Sequence, residues 1–254
     1  MSATVFNTII AGLGHLQTGS NMHFIHPIKK DETPIDHGIY VYYRNGVRLG
    51  VIEPWQCHSK PDGTVITRVE RDATVFGNKM HCYTEEINNQ FTVIELRWQS
   101  TTDTNQFVHA IYELLGDSAV FKHKTPLGST TQTIELNGAM PLPLMRVFYG
   151  RVLEQTVAKG GMATVLVPWI QDPNQQDKFF TPHFSERTAR VLINQDIQII
   201  DGTEQLTTQY EYIGDQYQAG SQFWVNEKHL LARYRWQQSE DQAWDTVLEN
   251  YRSV

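Results

Sequence analysis

The sequence predicts a mainly β fold: a strongly curved antiparallel sheet, a half-barrel or open barrel, with one helix on its concave side. Three observations predict it. Short runs rich in aromatic and β-branched residues recur along the chain, separated by Gly, Asn, Asp and Pro pairs, as consecutive antiparallel strands are. One stretch, 142–159, carries Leu144, Val147, Phe148, Arg151, Val152 and Gln155 at helical spacing and stops at Gly160-Gly161. About ten strands must also hide their edges, and a curved sheet plugged by this helix does so while burying the helix's apolar stripe.

Residues 1–37 divide into an N-terminal helix and a connector. Phe6, Ile9, Ile10 and Leu13 sit at helical spacing, which predicts a short amphipathic helix packed on the body. The stretch 23–37, HFIHPIKKDETPIDH, has little periodicity and reads as extended. Residues 38–254 are expected to form a single domain. It opens with a hairpin, 38–44 and 47–52, because Asn45-Gly46 supplies the positive φ angles of a tight turn. Strands at 64–72, 79–85 and 91–99 follow, punctuated by Pro61-Asp62-Gly63, Gly77-Asn78 and Asn88-Asn89. Residues 106–115 fit a helix by periodicity, but the Gly116-Asp117 turn before 118–123 favours a hairpin. After the helix, strands are expected at 162–170, 188–193 and 198–200, then a closing meander at 207–213, 222–225, 230–236 and 244–251. In 230–236, Ala232, Tyr234 and Trp236 share one side and Arg233 and Arg235 the other, since side chains alternate along a strand.

Composition narrows the function. The net charge of −7 and scattered Lys and Arg lack the basic stripe that phosphate backbones require, so nucleic acid is excluded as a partner. Cys57 and Cys82 are too few for a disulfide-dependent secreted fold, and no convincing signal peptide opens the chain; a cytoplasmic location is expected. No run approaches the ~20 apolar residues of a membrane span, so stable membrane insertion is not expected. His23-x-x-His26 with His37 is the one close histidine cluster, and Pro27 denies it a rigid ligand face, so no metal is expected. Phosphate loops, Rossmann glycines and Gly-x-Ser-x-Gly are absent, so no cofactor is expected either. Oligomeric state is not encoded in any of these features.

Two stretches resemble a known family. YVYYRNGVRLGVIEPWQ, with Gly46 and Gly50, and then VITRVERDATVFGNKMHCYTEE look like the opening of bacterial DUF3108-type proteins. RVLINQDIQIIDGTEQLTTQYEYIGDQYQAGSQFWVNEKHLLARYRW, with its Asp201-Gly202 turn and Phe-Trp-Val strand, is similar to that family's closing meander. The resemblance implies a half-barrel related to lipoprotein-carrier folds, which enclose a hydrophobic groove for acyl or other greasy ligands. Members are typically exported, and in lacking a recognisable signal this chain departs from them.

The candidate site follows from where aromatic walls meet ionisable groups. Tyr210, Tyr212, Trp224, Tyr234 and Trp236 are wall candidates, suited to a flat or greasy small molecule. His81, His123 and Glu95 are candidate acids or bases, and Arg97 a candidate anchor for an anionic head group. Arg68 and Glu70 share one strand face, as do Glu95 and Arg97; if the strands are neighbours these pair across the ladder, either as a solvated salt-bridged outer face or as a polar patch in the cavity. The leading function is binding of a hydrophobic or amphipathic small molecule in the groove, as carrier or sensor. A cofactor-independent lyase, isomerase or hydratase, and a structural or protein-interaction module, are the alternatives.

Overall fold

The computed structural model describes residues 24–170, 172 and 175–253. The amphipathic helix expected over 6–13 lies outside the described residues. The first half of the chain is a meander of β1 (Thr33–Arg44), β2 (Val47–Ser59), β3 (Val65–Ala73), β4 (Asn78–Ile87), β5 (Gln90–Ser100), β6 (Phe107–Leu115), β7 (Ser118–Thr125) and β8 (Gly128–Glu135). The second half comprises β9 (Met140–Pro141), helix α1 (Tyr149–Ala158), β10 (Met162–Pro168), β11 (Pro182–Ile200), β12 (Thr203–Ile213), β13 (Gln222–Asn226), β14 (Leu231–Ser239) and β15 (Gln242–Ser253). All join one 15-stranded sheet in the order β8 to β1, then β15 back to β9. It is thus two meanders sewn together where β1 pairs with β15, curved and open between β8 and β9. Every pair is antiparallel except β9–β10, which the intervening helix makes parallel.

Local chemistry explains these boundaries. Asn45 and Gly46 turn the first hairpin with φ of 52° and 76°. The hairpin reading of 106–123 holds, as β6 and β7 pair from Leu115↔Ser118 onward. The helix is shorter than its periodicity suggested. Pro141 and Pro143, with Leu144 at φ 66°, hold its approach extended, and a single 3-10 turn, Arg146–Phe148, leads into α1. Its inner side buries Tyr149, Gly150, Val152, Leu153 and Thr156 against β10, β11 and β13, so the helix fills the concave side as expected.

Two features escaped the sequence. The strand β8, GSTTQTIE, is exposed over almost its whole length and is held by backbone pairing to β7, so no apolar alternation marks it. The runs at 188–193 and 198–200 are one strand, β11, bent by bulges between Val191 and Asp196. Past Thr188 it leaves β10 and continues with β12 as an arm, two-stranded beyond Asp196↔Thr207, where the β12–β13 pairing ends. Trp224 Nε1 donates to Asp196 Oδ2 at 2.7 Å and Asn250 N to Asp201 Oδ2 at 2.9 Å, tying the arm to the body.

Candidate ligand-binding site

Alternation gives the sheet an inner face, packed with α1 in one core, and an outer face. Inner side chains Tyr42, Tyr149, Tyr217 and Tyr234 surround Arg146, whose guanidinium lies over the Tyr149 and Tyr234 rings at 4.9 and 4.7 Å. It donates to the Tyr217 and Tyr234 hydroxyls at 2.8 and 3.3 Å. Glu53, fully buried, accepts from Tyr42 Oη, Arg71 Nε and Arg146 N, each at 2.6 Å. Burial pushes the Tyr42 phenol well above its ordinary range, so it stays a donor to that carboxylate. The middle of the half-barrel is therefore filled by its own side chains, and room for a ligand lies toward its ends.

One opening on this side is a groove of about 650 Å³ where the β4–β5 turn, the β6–β7 turn, the segment 136–141 and α1 meet. Asn88 and Asn89, at φ 52° and 61°, shape the first turn. Asp117 Oδ1 accepts from Gly138 N at 2.7 Å and fixes the second turn to the opposite wall. Phe91, Leu114, Leu136, Met140 and Pro141 give the groove apolar walls. Arg151, Gln155 and Lys159 recur every four residues and so project as one stripe from α1 along its side. Arg151 pairs with Glu86, lies 4.4 Å over the Phe91 ring and keeps Nη2 buried with no partner among the described residues. Among the described residues Lys159 Nζ makes one contact, of 3.5 Å, to the Gly138 carbonyl. Among the described residues lining the groove there is no histidine, cysteine or serine, and its carboxylate, Asp117, is engaged. A cationic stripe thus lies beside apolar surface, with no imidazole–carboxylate pair among the described lining residues.

The residues expected to form the site divide between the two faces. Tyr210, Tyr212 and Tyr234 are buried on the inner face, and Trp236 packs against that core 5.6 Å from the Tyr217 ring. Trp224 is outward instead: Phe223 and Val225 turn in, and the indole lies about 6 Å from both Arg233 and Arg235 on the outer face. His123 is inward, stacked 5.6 Å from Phe121 and donating from Nε2 to the Phe179 carbonyl at 2.8 Å. His81, Glu95 and Arg97 are outward, because Met80 and Cys82 on β4 and Ile94, Leu96 and Trp98 on β5 turn in. They do not meet the concave aromatic wall.

The outer face is the salt-bridged surface that sequence offered as one alternative, with two differences. β4 lies between β3 and β5, so Arg68 and Glu95 flank Tyr83, and Glu70 and Arg97 flank His81. The connector covers it: Glu32 takes Arg68 in two bonds of 2.8 Å, and His26 with His109 grips Glu95 at 2.7 Å each. Burial alone would raise the Glu95 carboxyl, but the two imidazoles outweigh it and hold it below its ordinary value.

No family model matches the chain, and no curated protein matches it. Among solved structures, it is similar to a β-barrel-like protein of a domain of unknown function, DUF1849, from Brucella abortus. The identity is 8%, over 87% of this chain and 98% of that one, with a TM-score of 0.53. A DUF1329 family protein from Desulfovibrio piger aligns over 88% of this chain and 85% of its own at 11% identity, with a TM-score of 0.24 that carries no argument. The chain therefore has a β-barrel-like fold, shared with a DUF1849 protein rather than traced to DUF3108.

Proposed function

We propose that the protein binds an anionic amphiphile in the mouth groove, its tail against Phe91, Leu114 and Met140 and its acid head group on Arg151 and Lys159. The carrying observation is the Arg151 guanidinium, held over Phe91 with a buried nitrogen unpartnered beside an apolar groove. A buried donor without an acceptor costs about 1–3 kcal/mol, so a ligand carboxylate there is favoured. The groove's 650 Å³ lies within the roughly 300–1,000 Å³ usual for small-molecule sites. Binding, as carrier or sensor, is favoured over catalysis by the lack of imidazole and thiol among the described groove residues. A second reading, a protein-interaction module, draws on the arm, where Leu192, Ile193, Ile197 and Ile199 are 41%, 49%, 59% and 70% exposed.

The test is calorimetric titration with dodecanoate. Arg151→Gln removes a charge-assisted contact worth about 1.5–3 kcal/mol, so affinity is expected to fall about tenfold or more. A parent that releases no heat, or a folded variant that binds as the parent does, overturns the assignment.

A further inference from the structure

At the other end of α1 lies a second, smaller cavity of about 60 Å³. Three arginines line it: Arg71 from β3, Arg146 from the turn before α1 and Arg187 from β11, at 8%, 8% and 3% exposure. Strand parity and one tight turn bring them together. Val69, Arg71 and Ala73 share the inner face of β3, so Arg71 is a cation on an apolar stripe. Arg187 likewise sits between the buried Ser185 and Ala189. Its Nη1 donates to the Gly214 carbonyl at 2.5 Å and its Nη2 to Asp215. Gly214 adopts φ +142°, and a Cβ there would lie 2.5 Å from Arg187 Cδ, so only glycine leaves room for the guanidinium. The turn Gly214–Tyr217 thus presents Asp215 to Arg187 and Tyr217 to Arg146.

Charge does not balance in this cluster. Glu53 answers Arg71 and Asp215 answers Arg187, but the guanidinium of Arg146 meets phenol hydroxyls and rings alone among the described residues. Three cations face two carboxylates, leaving one positive charge in a buried place, where an uncompensated ion is costly. Arg71 Nη2, Arg146 Nε and Arg187 Nε are each buried with no partner among the described residues, three such donors on residues of one cavity. The cavity is too small for a chain. A single water takes about 10–15 Å³ in this measure, so 60 Å³ holds roughly four to six non-hydrogen atoms.

We infer that Arg71, Arg146 and Arg187 form a buried site for a small oxyanion of phosphate, sulfate or short-carboxylate size, separate from the mouth groove. The oxyanion supplies the missing negative charge and accepts from the unpartnered nitrogens. Trp169 and His183 line the same cavity, and the His183 side chain is 37% exposed, so the site has a path to solvent.

The test is calorimetry and thermal unfolding of the full chain with inorganic phosphate, sulfate or acetate, against chloride at matched ionic strength. At least one oxyanion is expected to release heat and raise the melting temperature above the chloride control, and the arm that does so best identifies the geometry. Arg187→Gln is expected to weaken that binding about tenfold or more, whereas Arg187→Lys, which keeps the charge, retains part of it. Arg48→Gln, an outer-face arginine with a 54% exposed side chain, is expected to leave binding unchanged. If no oxyanion differs from chloride with the parent protein, the inference falls whether or not the Arg187 variants fold. It falls also if Tyr217 balances the charge itself. Burial would raise that phenol, but Arg146 beside it brings it below its ordinary value. A phenolate absorbance at neutral pH, lost in Tyr217→Phe and unmoved by oxyanion, is the signature of that internal balance.

Discussion

Gly150→Ala tests how tightly the helix is seated in the curved sheet. Helix propensity alone favours alanine over glycine, by up to about 1 kcal/mol inside a helix and less in the first turn, where Gly150 sits. Steric crowding at this position opposes that gain and outweighs it. A Cβ at 150 would stand 2.2 Å from the His229 carbonyl oxygen, 2.8 Å from its carbon and 3.0 Å from Leu230 C. These are backbone atoms of the β13–β14 turn, where His229 holds φ 61° and Asn226 Oδ1 accepts from Lys228 N and Leu230 N at 3.0 and 3.1 Å. Neither side yields by a side-chain rotation, so α1 must lift. Overpacking of this kind costs about 1–3 kcal/mol, and a displaced helix adds the loss of Leu153 and Val152 contacts. The net expectation is a loss of about 1–2 kcal/mol, which is roughly 2–8 °C in a chain of this size by scanning calorimetry or thermal circular dichroism. A variant as stable as the parent, or more so, refutes the close seating of α1.

Glu53→Gln leaves the Arg71 guanidinium buried without its carboxylate and weakens the acceptor of the Arg146 backbone N–H. A loss of about 3–5 kcal/mol by denaturant titration is expected, and a loss under ~1 kcal/mol argues that Glu53 is not the centre of the interior network. On the outer face, Glu95 titrates below its ordinary value of 4.5 in the folded chain, so its stabilisation is fully present above that pH and is lost as pH falls through the folded value. Glu95→Gln is therefore expected to be less stable than the parent at neutral pH and to converge with it in acid; parallel stability curves across that range contradict the His26–Glu95–His109 grip.

The fold was largely legible because its signals are local. Asn45-Gly46 fixes a hairpin wherever it occurs between apolar runs, and strict alternation put Tyr234 and Trp236 on one side of their strand and Arg233 and Arg235 on the other, as the structure has them. The site was less legible because a face assignment propagates along a strand but not between strands. Trp224 illustrates the failure. It pairs with Arg233, already on the polar side, so the cross-strand register would have turned it outward. His81, Glu95 and Arg97 failed for the same reason on β4 and β5. The buried cluster left a usable signal: Glu53 shares parity with Val51 and Trp55, and Arg71 with Val69 and Ala73, charges on otherwise apolar faces. No such signal marks the mouth groove. Turn residues 88–90, 116–117 and 136–141 meet only once the sheet curves and α1 fills it, and Arg151 reads in sequence as one more member of a helical stripe.

The proposed ligand enters at the mouth, beside α1. Backbone amide shifts of the isotopically labelled protein, followed by NMR while dodecanoate is added, test it most directly. Binding in the groove predicts saturable shifts clustered at Phe91, Gly116, Gly138, Ala139, Arg151 and Gln155, with the amides of His81 and Arg97 unmoved. Saturable shifts confined to the arm at 191–199, with the groove amides unmoved, contradict it.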